Sequence, residues 1–175
     1  MKETLFVTGG CRSGKSKFAL GFADGRFKQK VFMATCCHRD DEMRQRIKKH
    51  QKARGSDWQT VEIATALSEA MASHGGGADV IVIDCLTLWV SNMLVENMSQ
   101  EEILARADAL TKAITEVPCS VILVSNEVGA GIVPENELAR RFRDVAGLVN
   151  QKVAACVNSV VWMVAGIPVP IKGVL

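Results

Sequence analysis

The sequence predicts an α/β domain built around a mostly parallel β-sheet that is flanked by helices. Short apolar runs rich in β-branched residues alternate along the chain with longer amphipathic stretches. The runs are almost purely apolar, which is typical of strands covered on both faces. Strands that alternate with helices indicate parallel pairing through right-handed crossovers. The chain has 175 residues, 48% of them hydrophobic, so we expect residues 1–175 to form a single domain.

The individual elements follow from these patterns. The predicted strands cover residues 4–8, 31–35, 80–84, 121–125 and 160–164, with a short additional strand over 58–63. The predicted helices cover residues 15–23, 41–53, 66–74, 86–95, 100–116 and 136–157. Near the end, Gly166, Pro168 and Pro170 predict a terminal hairpin, because proline is tolerated at a sheet edge. We therefore expect an antiparallel edge at the C-terminus.

A glycine-rich segment joins the first predicted strand to the first predicted helix. It reads Gly9-Gly10-Cys11-Arg12-Ser13-Gly14-Lys15-Ser16, which matches the phosphate-binding pattern G-x-x-x-x-G-K-[ST]. Glycines let backbone N–H groups turn inward around an anion, and the helix N-terminus adds its dipole. Lys15 is expected to reach the β- and γ-phosphates, and the Ser16 hydroxyl to ligate Mg²⁺. The segment predicts a P-loop NTPase that binds ATP or GTP.

Besides the Ser16 hydroxyl, a carboxylate is needed to support the metal. Val80–Asp84 is an apolar run that ends in a carboxylate. Beside a phosphate loop, Asp84 is expected to hold Mg²⁺ directly or through water. The alternative is that Asp84 caps the following helix.

Residues 39–54 form a basic stretch, with seven Lys or Arg against three acidic residues. At helical spacing, Arg46, His50 and Arg54 share one face. A neutral imidazole among cations is well placed to attack a phosphorus atom and form a phosphoramidate. On composition alone, a solvated helix with an incidental histidine is the alternative.

The composition argues against several other classes of protein. The formal net charge is only +2, and the basic stretch lacks interleaved aromatics, so we expect no nucleic-acid partner. No apolar run reaches the roughly 18 residues that span a bilayer, so we expect no membrane insertion. The six cysteines form no C-x-x-C pair, and a strand follows Met1 without a secretory signal. We therefore expect free thiols in a reducing cytoplasm.

Further motifs follow in order along the chain. They are Asp40-Asp41-Glu42-Met43-x-x-Arg46-Ile47-x-x-His50, Trp58-x-Thr60-x-Glu62, Asp84-Cys85-Leu86-Thr87-Leu88-Trp89-Val90-x-Asn92, Ser125-Asn126-Glu127-Val128-Gly129-x-Gly131-Ile132-Val133-Pro134-Glu135-Asn136 and Gly166-Ile167-Pro168. Together with the phosphate loop, these motifs resemble the bifunctional adenosylcobinamide kinase/adenosylcobinamide-phosphate guanylyltransferases. The resemblance covers essentially the whole chain.

The resemblance implies a RecA-like P-loop domain, a homotrimer and two consecutive reactions. The first phosphorylates the aminopropanol hydroxyl of adenosylcobinamide with ATP or GTP. The second transfers GMP from GTP onto adenosylcobinamide phosphate and releases pyrophosphate. His50 matches the histidine that carries GMP in the intermediate. Thr35, Cys36, Arg54 and Glu62 match positions that touch the guanine nucleotide.

Two alternative functions stay open on the sequence. One is a monofunctional P-loop kinase of a small molecule, in which His50 is inert. The other is an NTP-dependent switch protein, although a GTPase switch is expected to carry an N-K-x-D motif, and the sequence has none. Glu127, which follows an apolar run, either orients water or Mg²⁺ or caps a turn.

Overall fold

The computed structural model describes residues 2–36 and 57–174, which form a β-sheet with helices on both faces. The strands are β1 (Thr4–Gly9), β2 (Lys30–Ala34), β3 (Trp58–Glu62), β4 (Val80–Asp84), β5 (Ser120–Val124), β6 (Ser159–Val164) and β7 (Ile167–Lys172). The helices are α1 (Lys15–Asp24), α2 (Leu67–His74), α3 (Leu86–Val95), α4 (Gln100–Glu116) and α5 (Glu137–Cys156).

The element boundaries confirm the sequence predictions to within one residue at each end. Helix α5 begins one residue later than predicted because Asn136 is its N-cap, with a side-chain oxygen that accepts a hydrogen bond from Ala139 N. Strand β2 ends at Ala34, so Thr35 follows the strand. The helix predicted over residues 41–53 lies outside the described residues.

The sheet order is β3-β2-β4-β5-β1-β6-β7. All neighbouring pairs are parallel except β6 and β7, which form the predicted antiparallel edge. Strand β1 therefore lies between β5 and β6, and β4 lies two strands away from it. Because the carboxyl ends of parallel strands meet at one edge, the ends of β1, β2, β3 and β4 all face the same side of the domain.

Two apolar layers cover the sheet. On one face, α1 packs Ala19 and Ala23 against inward-facing strand residues such as Val7 and Val82. On the other face, α2, α3, α4 and α5 cover a larger cluster that includes the fully buried Trp89. This layered packing fixes the carboxyl edge, because the central strands β1, β2, β4 and β5 are covered on both faces. None of the helices in residues 2–36 and 57–174 combines the length and hydropathy needed to cross a membrane.

Candidate active site

The phosphate loop connects β1 to α1 in a conformation that depends on glycine. Gly9 has φ 146°, and a Cβ atom placed on it would lie 2.5 Å from the carbonyl oxygen of Met163. The loop tip, at Cys11 and Arg12, is exposed, whereas Ser13 is buried. Position 9, at the end of β1, therefore requires glycine, because the neighbouring strand β6 leaves no room for a side chain.

Two carbonyl groups of the loop are bonded to neighbouring segments of the chain. Gly9 O accepts from Glu127 N at 3.0 Å, and Ser13 O accepts from Gly166 N at 3.0 Å. Because a trans peptide is planar, the N–H group that follows each bonded carbonyl points in the opposite direction. At the start of α1, no side chain caps the helix and no acidic residue lies in its first turn. These N–H groups and the helix dipole suit the binding of a polyphosphate.

Lys15 lies over the loop in a buried position. Its ammonium group donates to Gly10 O at 2.6 Å and lies 3.5 Å from Ser13 Oγ. Burial lowers the pKa of Lys15, and the nearby charges of Cys85 and Asp84 oppose that shift. An ammonium group has three donors, so Lys15 can bind a phosphate oxygen while it keeps contact with the loop.

The two residues predicted to hold the metal both lie at this edge. Ser16 is half-buried in the first turn of α1, and Asp84 is the half-buried last residue of β4. The negative charge of Asp84 opposes the lowering of the Lys15 pKa, so the carboxylate lies close enough to interact electrostatically with the loop. A hydroxyl and a carboxylate are oxygen donors of the kind that Mg²⁺ prefers.

Comparison with known proteins identifies the family. The family model described as cobinamide kinase / cobinamide phosphate guanyltransferase matches residues 5–171. The chain belongs to this family. It is therefore a cobalamin biosynthesis enzyme with two transferase activities, a kinase and a guanylyltransferase, as the sequence motifs predicted.

Named relatives agree with this assignment. The bifunctional adenosylcobalamin biosynthesis protein CobU of Escherichia coli K12 is 40% identical, with 96% of this chain and 99% of that protein covered. CobP of Pseudomonas aeruginosa, which carries the same description, is 38% identical, with 95% and 96% covered. A solved structure from Pyrococcus horikoshii OT3 has a TM-score of 0.58 at 10% identity, covering 99% of this chain and 87% of that one. At that identity, the last match shows the fold alone, which is consistent with the predicted P-loop NTPase class.

Cys36 and Glu62, which the family resemblance predicts at the guanine nucleotide, lie at the carboxyl edge. Glu62 is the exposed last residue of β3, and it pairs in register with Ala34 of β2, which pairs in turn with Asp84. Cys36 follows β2 and is half-buried. Arg54 and the predicted nucleophile His50 lie outside the described residues.

Thr35 is also predicted at the guanine nucleotide, and the structure shows that its side chain is bonded at the end of β4. It has no exposed surface, and its hydroxyl donates to Cys85 O at 2.7 Å and accepts from Cys85 N at 2.8 Å. Burial raises the pKa of the Cys85 thiol to about 11, and the charge of Asp84 adds to that rise. Thr35 thus ties the end of β2 to the residue that follows Asp84, and its role here is to position the end of β4.

Sequence reasoning missed a second residue at this junction, Asn92 of α3. Its buried amide donates to Thr35 O at 2.8 Å and to Ala64 O at 3.0 Å. Asn92 therefore links α3 to the chain segments that follow β2 and β3. The available signal was an amide within a mostly apolar helix, since a buried amide needs hydrogen-bond partners.

Glu127 adopts one of the two roles considered for it. Its carboxylate accepts from Gly129 N at 2.6 Å, so it caps the turn after β5. Its own N–H donates to Gly9 O at 3.0 Å. In this structure, Glu127 shapes the loop beside the phosphate site through backbone contacts.

Proposed function

We propose that the enzyme carries out its two transfers in sequence at the carboxyl edge of the sheet. It first phosphorylates the aminopropanol hydroxyl of adenosylcobinamide with ATP or GTP. It then transfers GMP from GTP onto adenosylcobinamide phosphate and forms adenosylcobinamide-GDP. The observation that carries the proposal is the phosphate loop, whose buried Lys15 lies within electrostatic reach of Asp84 in a chain of this family.

In the phosphoryl transfer, the loop N–H groups and Lys15 hold the β- and γ-phosphates. The hydroxyl oxygen of adenosylcobinamide bonds to the γ-phosphorus and loses its proton, while the bond from that phosphorus to the bridging oxygen breaks. The nucleoside diphosphate leaves with the electron pair of that bond. Lys15 and the N-terminus of α1 stabilise the charge that develops on the bridging oxygen.

Mg²⁺ is the metal that we propose for the triphosphate. Ser16 and Asp84 fit it, since both offer oxygen donors and both lie beside the phosphate loop. Within residues 2–36 and 57–174, no cluster of three or more potential protein ligands occurs. Mg²⁺ commonly takes one or two carboxylates and completes its shell with water and phosphate oxygens. When bound, it would offset the negative charge of the phosphates.

In the guanylyl transfer, we propose His50 as the nucleophile. A ring nitrogen bonds to the α-phosphorus of GTP, the bond to the β-phosphate oxygen breaks and pyrophosphate leaves. An oxygen of adenosylcobinamide phosphate then attacks the same phosphorus and frees the histidine. Arg54 stabilises the charge, while Cys36 and Glu62 contact the nucleotide. The family motif around His50 and the carboxyl-edge positions of Cys36 and Glu62 support these assignments.

The test is covalent labelling with GTP that carries a radioactive α-phosphate. After denaturation, the wild-type enzyme should retain a label that is labile in acid and stable in base, as expected of a phosphoramidate. His50→Ala should lose the label while it still binds GTP. The matched control is His74→Ala on α2, which should label like the wild type. Label that persists in His50→Ala contradicts the assignment of the nucleophile.

We further propose that the enzyme is a cytoplasmic homotrimer. The family resemblance supports the trimer, and the β6–β7 hairpin exposes apolar side chains, including Trp162 and Ile167, that an assembly can bury. None of the described cysteines forms a disulfide, which suits a reducing compartment. Light scattering coupled to size-exclusion chromatography should give three times the chain mass of 19.0 kDa. A mass of one chain would contradict the trimer.

A further inference from the structure

The turn between β6 and β7 lies against the phosphate loop. Strand β6 pairs with β1 up to the pair Gly9 and Met163, and the chain then turns through Ala165 and Gly166 into β7. Ala165 has φ 50° and Gly166 has φ 86°. Two consecutive left-handed residues are the pattern of a two-residue type I′ hairpin turn. The position of β6 thus brings this turn beside the loop that follows Gly9.

Loop and turn make direct backbone contact. The N–H group of Gly166 donates a 3.0 Å hydrogen bond to the carbonyl oxygen of Ser13. A Cβ atom placed on Gly14 would lie 3.4 Å from Gly166 Cα, so a side chain on Gly14 would pack against Gly166. The hairpin therefore forms one wall of the phosphate loop.

The hydrogen bond from Gly166 has a consequence for the next peptide group. In a planar trans peptide, the C=O and N–H bonds point in opposite directions. Because Ser13 C=O is directed at the hairpin, the N–H of Gly14 is directed away from it, toward the interior of the loop. Gly14 directly precedes α1, where backbone N–H groups bind anions best.

We propose that Gly166 is a positioning residue for phosphate binding. Its N–H holds the Ser13–Gly14 peptide so that the Gly14 amide faces the bound polyphosphate. The inference rests on the proposed function, since it assigns the polyphosphate to this loop. If Gly166 served only to form a tight hairpin, changing it would alter stability and leave the polyphosphate affinity of the folded protein unchanged.

Titration calorimetry with two probes, GTP and inorganic tripolyphosphate, tests the proposal in the presence of Mg²⁺. Gly166→Ala has space for its methyl group, since nothing lies within 4 Å, but its φ of 86° is unfavourable for alanine. Alanine retains the N–H, but the backbone has to shift away from this φ and the N–H then loses its alignment with Ser13 O, so we expect both affinities to fall about five- to tenfold, as for one modest hydrogen bond. Gly166→Asn should stay within about twofold of the wild type, because asparagine tolerates this conformation and so leaves the N–H in place. Ala165→Gly, which keeps the Gly166 donor, is the matched control.

A second variant removes only the donor and covers the case in which Gly166→Ala fails to fold. Cys156 allows residues 156–175 to be made synthetically and joined by native chemical ligation without a change of sequence. An ester in place of the Ala165–Gly166 amide deletes the N–H and leaves every side chain intact. We expect the same loss of affinity for tripolyphosphate as in Gly166→Ala.

The outcomes separate the two proposals. An ester-containing enzyme that binds tripolyphosphate as tightly as the ligated all-amide chain overturns the role of Gly166 and leaves the proposed function intact. A wild-type chain that binds neither probe overturns the proposed function itself. A loss confined to the Gly166 ester and Gly166→Ala, absent in Ala165→Gly and Gly166→Asn, supports the positioning role.

Discussion

The ends of β1 and β4 meet at the same edge of the sheet, but they are held in different ways. At the end of β1, Lys15 Nζ and Ser13 N bond to Gly10 O within the loop, and two distant N–H groups, those of Glu127 and Gly166, bond to the loop carbonyls of Gly9 and Ser13. At the end of β4, Asp84 and Cys85 are held by Thr35, which lies 50 residues away from Cys85 in sequence and is itself bound by Asn92. The residues of the phosphate loop are contiguous in sequence and are held by distant segments only through backbone hydrogen bonds, whereas the carboxylate beside the loop is placed by side-chain hydrogen bonds from distant residues.

The largest expected effect is that of Lys15→Ala at the end of β1, which should lower catalytic activity far more than it lowers fold stability. Without the cation, we expect kcat/KM for phosphoryl transfer to fall about 10²–10³-fold, the typical cost of losing one charge-stabilising group. Fold stability should change by only about 1 kcal/mol, as for a pair of modest hydrogen bonds. The measurements are steady-state kinetics and denaturant unfolding, with Lys17→Ala, an exposed lysine of α1, as the control.

We also predict how Lys15→Ala changes the pH dependence of the free energy of unfolding. Burial lowers the pKa of Lys15 in the folded state below its ordinary value of 10.5. Between the two pKa values, the unfolded chain binds more protons, so the free energy of unfolding rises with pH in that window. Lys15→Ala should reduce this rise just below pH 10.5. An unchanged rise in Lys15→Ala would show that the ammonium is not desolvated.

An intermediate effect is expected at the end of β4. Thr35→Val keeps the side-chain shape and deletes the hydroxyl, which leaves the buried Cys85 N–H without its acceptor. We expect a loss of about 1–3 kcal/mol in the free energy of unfolding. Thr60→Val, on the exposed side of β3, is the matched control and should change stability by less than about 0.5 kcal/mol.

This variant also tests whether the two strand ends are independent. If the phosphate loop is shaped independently of the end of β4, folded Thr35→Val should bind tripolyphosphate with wild-type affinity. A loss of that affinity comparable with the loss in Lys15→Ala would show that the end of β4 shapes the loop. The contrast between the two regions would then fail.

The contrast explains what sequence reasoning was able to predict. Element boundaries came within one residue because apolar periodicity and caps such as Asn136 are local signals. The phosphate loop was found for the same reason. The order of the strands and the burial of Thr35 depend on partners far along the chain, so no local pattern carried them. Thr35 was predicted at the nucleotide from the family resemblance, which gave no sign that its hydroxyl bonds to Cys85.

The two residues proposed to support the metal illustrate both kinds of feature, one predicted from a local pattern and one placed by distant parts of the chain. Ser16 follows directly from the loop pattern, and Asp84 was inferred from a strand end beside it. The structure brings Asp84 within electrostatic reach of Lys15. It does so through the strand order, in which only β5 separates β4 from β1. The nucleophile His50 rests on its sequence motif, since it lies outside the described residues.

The smallest expected effect concerns the hairpin wall of the phosphate loop. Ala165 holds φ 50°, a conformation that L-residues with a Cβ adopt at a cost and that asparagine tolerates. Ala165→Asn should therefore raise the free energy of unfolding by about 0.5–1 kcal/mol, a gain typical of a residue better matched to its backbone conformation. Thermal and denaturant unfolding measure this gain, and tripolyphosphate affinity should stay unchanged because the Gly166 N–H is untouched. A variant that gains stability but loses affinity would show that the loop needs a strained turn, so that the end of β1 depends on its distant neighbour as strongly as the end of β4 does.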